Sequence, residues 1–253
     1  MPESLISTLA DVLAADETVL GVWLAGSRGR GDDDQYSDVD LWVVSTDVDA
    51  FLATWPERCA SAVEVVLTKR VGFAPVFAHV TPQWLRFDIS VSDPSSVPGR
   101  GSAGLKPLLD RADLHAQLSG DAPDLMPDPR RVAELTGEFI RVLGLLPMIL
   151  HRGDYVLAAS GSNLLRQYLI QLMTEDIAVP DRGGAGRRYA LLPRQVLENL
   201  PPIAATRESA LAVHLACASA FEPLARRLCG PSFPEALWTA MTAHLTREGI
   251  PLA

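Results

Sequence analysis

The chain has 253 residues, 48% of them hydrophobic, enough for one large core or two small ones. Its net charge of −9, without a dense basic stripe, disfavours nucleic acid and suits a cationic small molecule. No apolar stretch is long enough to cross a bilayer, the opening MPESLISTLADVLAADE lacks the basic start of a secretory signal, and Cys59, Cys217 and Cys229 lie far apart like reduced thiols, so the cytoplasm is the expected setting.

Residues 3–15 read as an amphipathic helix with Leu5, Ile6, Leu9, Val12 and Leu13 on one face. The apolar run Val22 to Ala25 predicts a strand that ends in a small-residue turn at Gly26-Ser27. A polar loop follows, then a second strand over Asp38–Ser45 and a short helix over Asp47–Trp55. Strands are expected near 62–70, 75–81 and 85–92, the last two joined by Thr81-Pro82-Gln83. In the last of them Leu85, Phe87, Ile89 and Val91 alternate with Arg86, Asp88, Ser90 and Ser92, the period of a half-buried strand. Residues 93–104, DPSSVPGRGSAG, are loop by composition.

Near Pro123–Pro129 prolines and aspartates cluster and strand patterns stop, which divides the chain into 1–125 and 126–253. Asp128 predicts a helix cap, with Pro129 in the first turn. Val132, Leu135, Phe139, Val142, Leu143 and Leu146 make the apolar stripe of that helix, which Pro147 should end or kink. Further helices are expected near 153–177, 193–199, 205–229 and 234–248, packed antiparallel. Gly183-Gly184 and Gly186 predict a flexible connection that carries Arg187, Arg188 and Tyr189. The expected fold class is α+β: a small mixed sheet with flanking helices, then an all-α helical bundle.

Candidate chemistry concentrates in the first half. Residues i and i+2 of a strand share a face, so Asp38 and Asp40 project side by side with Val39 turned away. Two carboxylates that close repel each other, and a divalent cation removes the cost; hard oxygen ligands suit Mg²⁺. A strand edge carrying solvated acids is the plain alternative. Gly26 has no Cβ and lets backbone approach a ligand, and Ser27 adds a hydroxyl and an N–H suited to phosphate oxygens. Asp88, mid-strand on a polar face, is the candidate third acid; an ion pair with an arginine of a neighbouring strand is its alternative. Glu64, in AVEVVLTKR with Val63, Val65 and Leu67 on the opposite face, is the runner-up. GSRGRG lacks the Lys-Ser/Thr of a Walker A loop and is not a GxGxxG fingerprint. Arg28 and Arg30 suit phosphate charge and suit solvent equally well, and the five histidines form no ligand pattern.

Gly26-Ser27 followed by Asp38-Val39-Asp40 resembles the GS…DxD signature of the DNA polymerase β-like nucleotidyltransferase superfamily. The strand around Asp88 resembles its third-carboxylate strand. The Glu64 segment resembles the strand that carries the catalytic glutamate of streptomycin/spectinomycin adenylyltransferases. The appended helical half resembles aminoglycoside and lincosamide nucleotidyltransferases, whose acceptor lies between the domains. The resemblance implies a Mg²⁺-dependent enzyme that moves a nucleoside monophosphate from an NTP, ATP by expectation, to a hydroxyl of such a small molecule, releasing pyrophosphate. It implies Asp38, Asp40 and Asp88 as metal ligands around two ions about 4 Å apart, with Asp88 or Glu64 as general base. It further implies Gly26, Ser27, Arg28, Arg187 and Arg188 as nucleotide-binding residues, and Glu175 and Asp176 as acids for a cationic acceptor. A monomer or homodimer without nucleic-acid or membrane partners is expected. Two readings compete. Nucleotidyl transfer to a protein or RNA is disfavoured by the helical half and the negative charge. A non-catalytic nucleotide- or partner-binding protein of the same fold could shed its carboxylates at no cost, and this chain keeps three.

Overall fold

Period-two patterning in the first half builds one mixed sheet, and helical patterning in the second builds a bundle. The structure, a computed structural model, describes residues 2–120, 123–180, 182–183 and 185–252. It divides into two compact units, Met1–Pro123 and Asp124–Ala253. The first unit runs α1 (Pro2–Ala14), β1 (Val19–Ala25), α2 (Gly26–Arg30), β2 (Val39–Ser45), α3 (Val48–Ala62), β3 (Leu67–Arg70), β4 (Val76–Val80), β5 (Arg86–Ser92) and β6 (Lys106–Asp110). The sheet order is β3-β4-β5-β2-β1-β6. β2 and β5 pair in parallel, and the other pairs are antiparallel.

Pleating gives this sheet two different faces. Val39, Leu41 and Val43 of β2 and Phe87, Ile89 and Val91 of β5 point toward α1 and α3, where Leu5, Leu9, Leu13, Phe51, Trp55 and Cys59 are buried with them. His79 belongs to this core: Trp55 Nε1 donates to its Nε2 at 3.1 Å, and its ring stacks on Phe87 at 4.3 Å. Burial pushes the His79 pKa down to about 4, so the ring is neutral at pH 7. The opposite face carries Trp23 and Trp42, whose rings lie 4.6 Å apart among buried Val97, Leu114 and Leu118. The Arg100 guanidinium sits 4.0 Å above the Trp42 ring. One end of this face is thus sealed by the chain around β6. Asp40 and Asp88 lie beyond the tryptophans and keep partial solvent access.

Several elements differ from the sequence expectation. α3 runs through Pro56 to Ala62, because Phe51, Leu52, Trp55 and Cys59 continue one buried face and outweigh the hydrogen bond that proline cannot make. The strand expected over 62–70 begins only at Leu67, since β4 offers partners from Phe77 to Val80 alone. β6 was not expected. It is an edge strand, and there Pro107 costs no ladder hydrogen bond on the solvent side.

The second unit contains α4 (Pro129–Leu143), α5 (Leu146–Arg152), α6 (Tyr155–Glu175), α7 (Ala185–Leu191), α8 (Arg194–Glu198), α9 (Arg207–Cys229) and α10 (Glu235–Arg247), and its described residues form no strand. Asp128 caps α4 by accepting from the Arg130 and Arg131 N–H groups. α4 ends at Leu143, and Pro147 starts the next helix instead of kinking the first; its missing N–H costs nothing in a first turn. α4, α6 and α9 share a core in which Phe139 stacks on Phe221 at 3.7 Å. Gly184, part of the expected glycine connection, lies outside the described residues.

Candidate active site

Asp40 and Asp88 stand opposite each other in the parallel β2/β5 register. Side chains paired this way share a face, and like charges directly opposite destabilise a sheet. Burial, then the Asp38 charge, pushes the Asp40 carboxyl above its usual range. Burial, then Asp40 and Asp38, raises Asp88 to about 6, against the opposing pull of Arg86. Asp38 precedes Asp40 by two and shares its face. Continuing the register one step, its cross-strand neighbour is Arg86, two residues before Asp88. Arg86 Nη2 lies 2.5 Å from Asp38 Oδ1 and donates to the Tyr36 carbonyl at 3.4 Å. The site therefore has two stacked rows: acid against acid at Asp40/Asp88, and acid against base at Asp38/Arg86. The sequence reading missed Arg86 as Asp38's partner. The available signal was its spacing of two from Asp88.

The chain beside Asp40 favours glycine. β1 ends at Ala25, which pairs with Asp40, and Gly26 follows at φ +62°. A Cβ on Gly26 would lie 1.9 Å from Asp40 Oδ2. A side chain there would strain the backbone and displace the Asp40 carboxylate. Gly26 and Ser27 open α2 at this point, with Gly26 against Asp40.

Arg28, expected to meet phosphate, is engaged with the chain that leads into β2. Its Nη1 pairs with Asp33 at 2.9 Å, Nε donates to the Asp38 carbonyl and Nη2 to the Ser37 carbonyl, both at 3.2 Å. All three nitrogens are committed to the loop between α2 and β2, and they fix the backbone of Asp38. Glu64 is the other candidate general base. It lies between α3 and β3, exposed, in a depression lined by Ser4, Leu5 and Thr8 of α1. α1 covers the face opposite to Asp88.

In the second unit, Asp176 is held by Arg227 through two bonds of 2.7 Å. Glu175 pairs with Arg182 at 3.3 Å and accepts from the Asp128 N–H at 3.1 Å. Both acids, expected as ligands for a cationic acceptor, carry an arginine partner in the structure. Arg188 is exposed on α7, and the stem of Arg187 lies against Gly183.

The donor set suits a hard divalent cation: carboxylate oxygens, two of them on acids whose charged form is disfavoured as they stand. Among the described residues, however, no three acid, histidine or cysteine side chains converge into a ready-made metal-holding group. Asp38 is turned to Arg86.

No family model matches the chain, and no curated protein matches it. Solved structures similar to it include the following two. One is an aminoglycoside 6-adenyltransferase from Bacillus subtilis, 14% identical over 94% of this chain and 96% of that one, with a TM-score of 0.43. The other is a nucleotidyltransferase-like protein from Exiguobacterium sibiricum, 14% identical over 98% of this chain and 92% of that one, with a TM-score of 0.37. Both names fall in the class that the Gly-Ser and Asp-x-Asp spacing resembles. Likeness at this level decides nothing about function, which is argued from the site.

Proposed function

We propose that this chain is a nucleotidyltransferase that moves a nucleoside monophosphate from ATP to a hydroxyl of a small acceptor and releases pyrophosphate. The Asp40–Asp88 pair carries the reading: two acids in register across parallel strands, with the Gly26 backbone close against Asp40. A fold keeps such a repulsive pair where its chemistry needs one. Magnesium, when bound, neutralises triphosphate charge and polarises the transferred phosphorus. Asp38, Asp40 and Asp88 are the residues to hold it. Gly26 and Ser27 offer N–H and hydroxyl donors to the β- and γ-phosphates. Asp88 orients the acceptor hydroxyl or takes its proton. The acceptor oxygen bonds to the α-phosphorus as the bond to the leaving pyrophosphate breaks. No covalent nucleophile on the protein is required; positioning and charge neutralisation supply the rate.

The acceptor we favour is a hydroxylated, cationic small molecule such as an aminoglycoside or lincosamide, to which a chain of net charge −9 is complementary. The helical unit is assigned to its binding, with Glu175 and Asp176 as its candidate acids. A cytoplasmic setting fits the need for ATP and the three free cysteines. The test is pyrophosphate release by purified protein with ATP, Mg²⁺ and a panel of aminoglycosides and lincosamides. At least one acceptor should support turnover, and Asp40→Ala should abolish it. An Asp40→Ala variant that turns over like the parent would remove the site assignment.

A further inference from the structure

Asp38 has a cation already. Arg86 meets it from the adjacent strand at 2.5 Å, in the row next to the Asp40–Asp88 pair. The contact is anchored on both sides. Arg86 starts β5 and also holds the Tyr36 carbonyl, while the Asp38 backbone carbonyl is held by Arg28. The guanidinium is half-exposed, so it can swing away without leaving a buried charge. Asp40 and Asp88, by contrast, form no ion pair among the described residues. A cation entering beside that pair competes with Arg86 for Asp38 as its third carboxylate.

We propose that Arg86 is an exchangeable counter-ion: it holds Asp38 while the site is free of metal, and it yields that carboxylate when the metal binds. The proposal rests on the nucleotidyltransferase reading and adds to it a residue that sets metal affinity. Arg86 opposes the metal twice, by occupying Asp38 and by leaving a positive charge beside the entering ion. The site is thereby biased against bare metal and toward metal that arrives already bound to an anionic triphosphate. Arg86 is a positioning residue in this scheme, acting through Asp38.

The experiment titrates the protein with Mn²⁺ alone, without nucleotide, and follows loss of the free-ion electron paramagnetic resonance signal. Arg86→Gln should bind Mn²⁺ about five-fold more tightly than the parent, the scale of one partly exposed ion pair. Arg86→Lys keeps the charge and should stay near the parent. Adding Asp38→Asn to Arg86→Gln should erase the gain. Thermal melting of each variant checks folding. Equal or weaker Mn²⁺ binding by folded Arg86→Gln overturns the proposal while leaving the nucleotidyltransferase reading in place, provided parental binding depends on Asp40. If no variant binds Mn²⁺ in an Asp40-dependent way, with or without a non-hydrolysable ATP analogue, both readings fall.

Discussion

Gly26→Ala is the sharpest test of the site, because Gly31 provides a matched control. Gly26 sits at φ +62° and Gly31 at φ +77°, so alanine at either position adopts a left-handed backbone at a cost of about 1–2 kcal/mol. The surroundings differ. At Gly31 a Cβ meets nothing within 4 Å, whereas at Gly26 it lies 1.9 Å from Asp40 Oδ2. Relaxing that approach to an ordinary contact of about 3.4 Å moves the carboxylate oxygen by about 1.5 Å. A displacement of about 1 Å in a reacting array costs on the order of 100-fold in rate. Urea unfolding should show similar losses of stability in the two variants. Pyrophosphate release should fall about 100-fold in Gly26→Ala and stay near parental in Gly31→Ala. Equal turnover by the two variants would refute the claim that Gly26 is kept to seat Asp40.

Asp88→Asn should lose turnover and yet unfold at higher urea, gaining roughly 1 kcal/mol as the cross-strand repulsion disappears; a stability loss would show the two acids are not in conflict. Glu64→Gln should keep parental turnover, since Glu64 borders α1 on the covered side of the sheet; a loss of 100-fold or more would restore it as the base. His79 sets a pH dependence of stability. Its folded pKa of about 4 lies below the unfolded value of 6.5, so the unfolded chain binds the proton first as pH falls. The contribution is complete above pH 6.5 and is lost between pH 6.5 and 4, by about 1.4 kcal/mol per pH unit at most. Urea midpoints between pH 7.5 and 5 should therefore fall more steeply for the parent than for His79→Gln, and parallel slopes would contradict a neutral buried ring.

The pleating of β2 and β5 was legible because it depends on period alone: Asp38 and Asp40 share a face whatever strand lies beside them. The partner across the sheet was not legible, because the register of two parallel strands far apart in sequence is set by the packing of Leu41 and Ile89 into a common core. Local alternation misled where partners ran out. AVEVVLTKR has a strand's period, yet its first residues leave α3 and find no neighbour until Val66 bonds to the Val80 carbonyl. Glu64 falls in that unpaired stretch, beside α1. β6 went unseen because its five residues include a proline, which weighs against a strand unless the edge position is known.

Charged side chains divide by whether the fold supplies a countercharge, and this is a property of tertiary structure. Arg28 is answered by Asp33, Glu175 by Arg182 and Asp176 by Arg227, the last across 51 residues of chain. As isolated letters each suited a ligand; in the fold each has a partner of opposite charge. Asp40 and Asp88 are the opposite case, since the register sets them against each other and the surrounding strands contribute apolar residues. Asp38 stands between the two conditions, answered by a residue that is half-exposed and can leave. Substrate charge has an energetic reason to enter where the protein has not already neutralised its own. That asymmetry, more than the presence of three aspartates, separates a catalytic reading of this sheet face from that of a solvated strand edge.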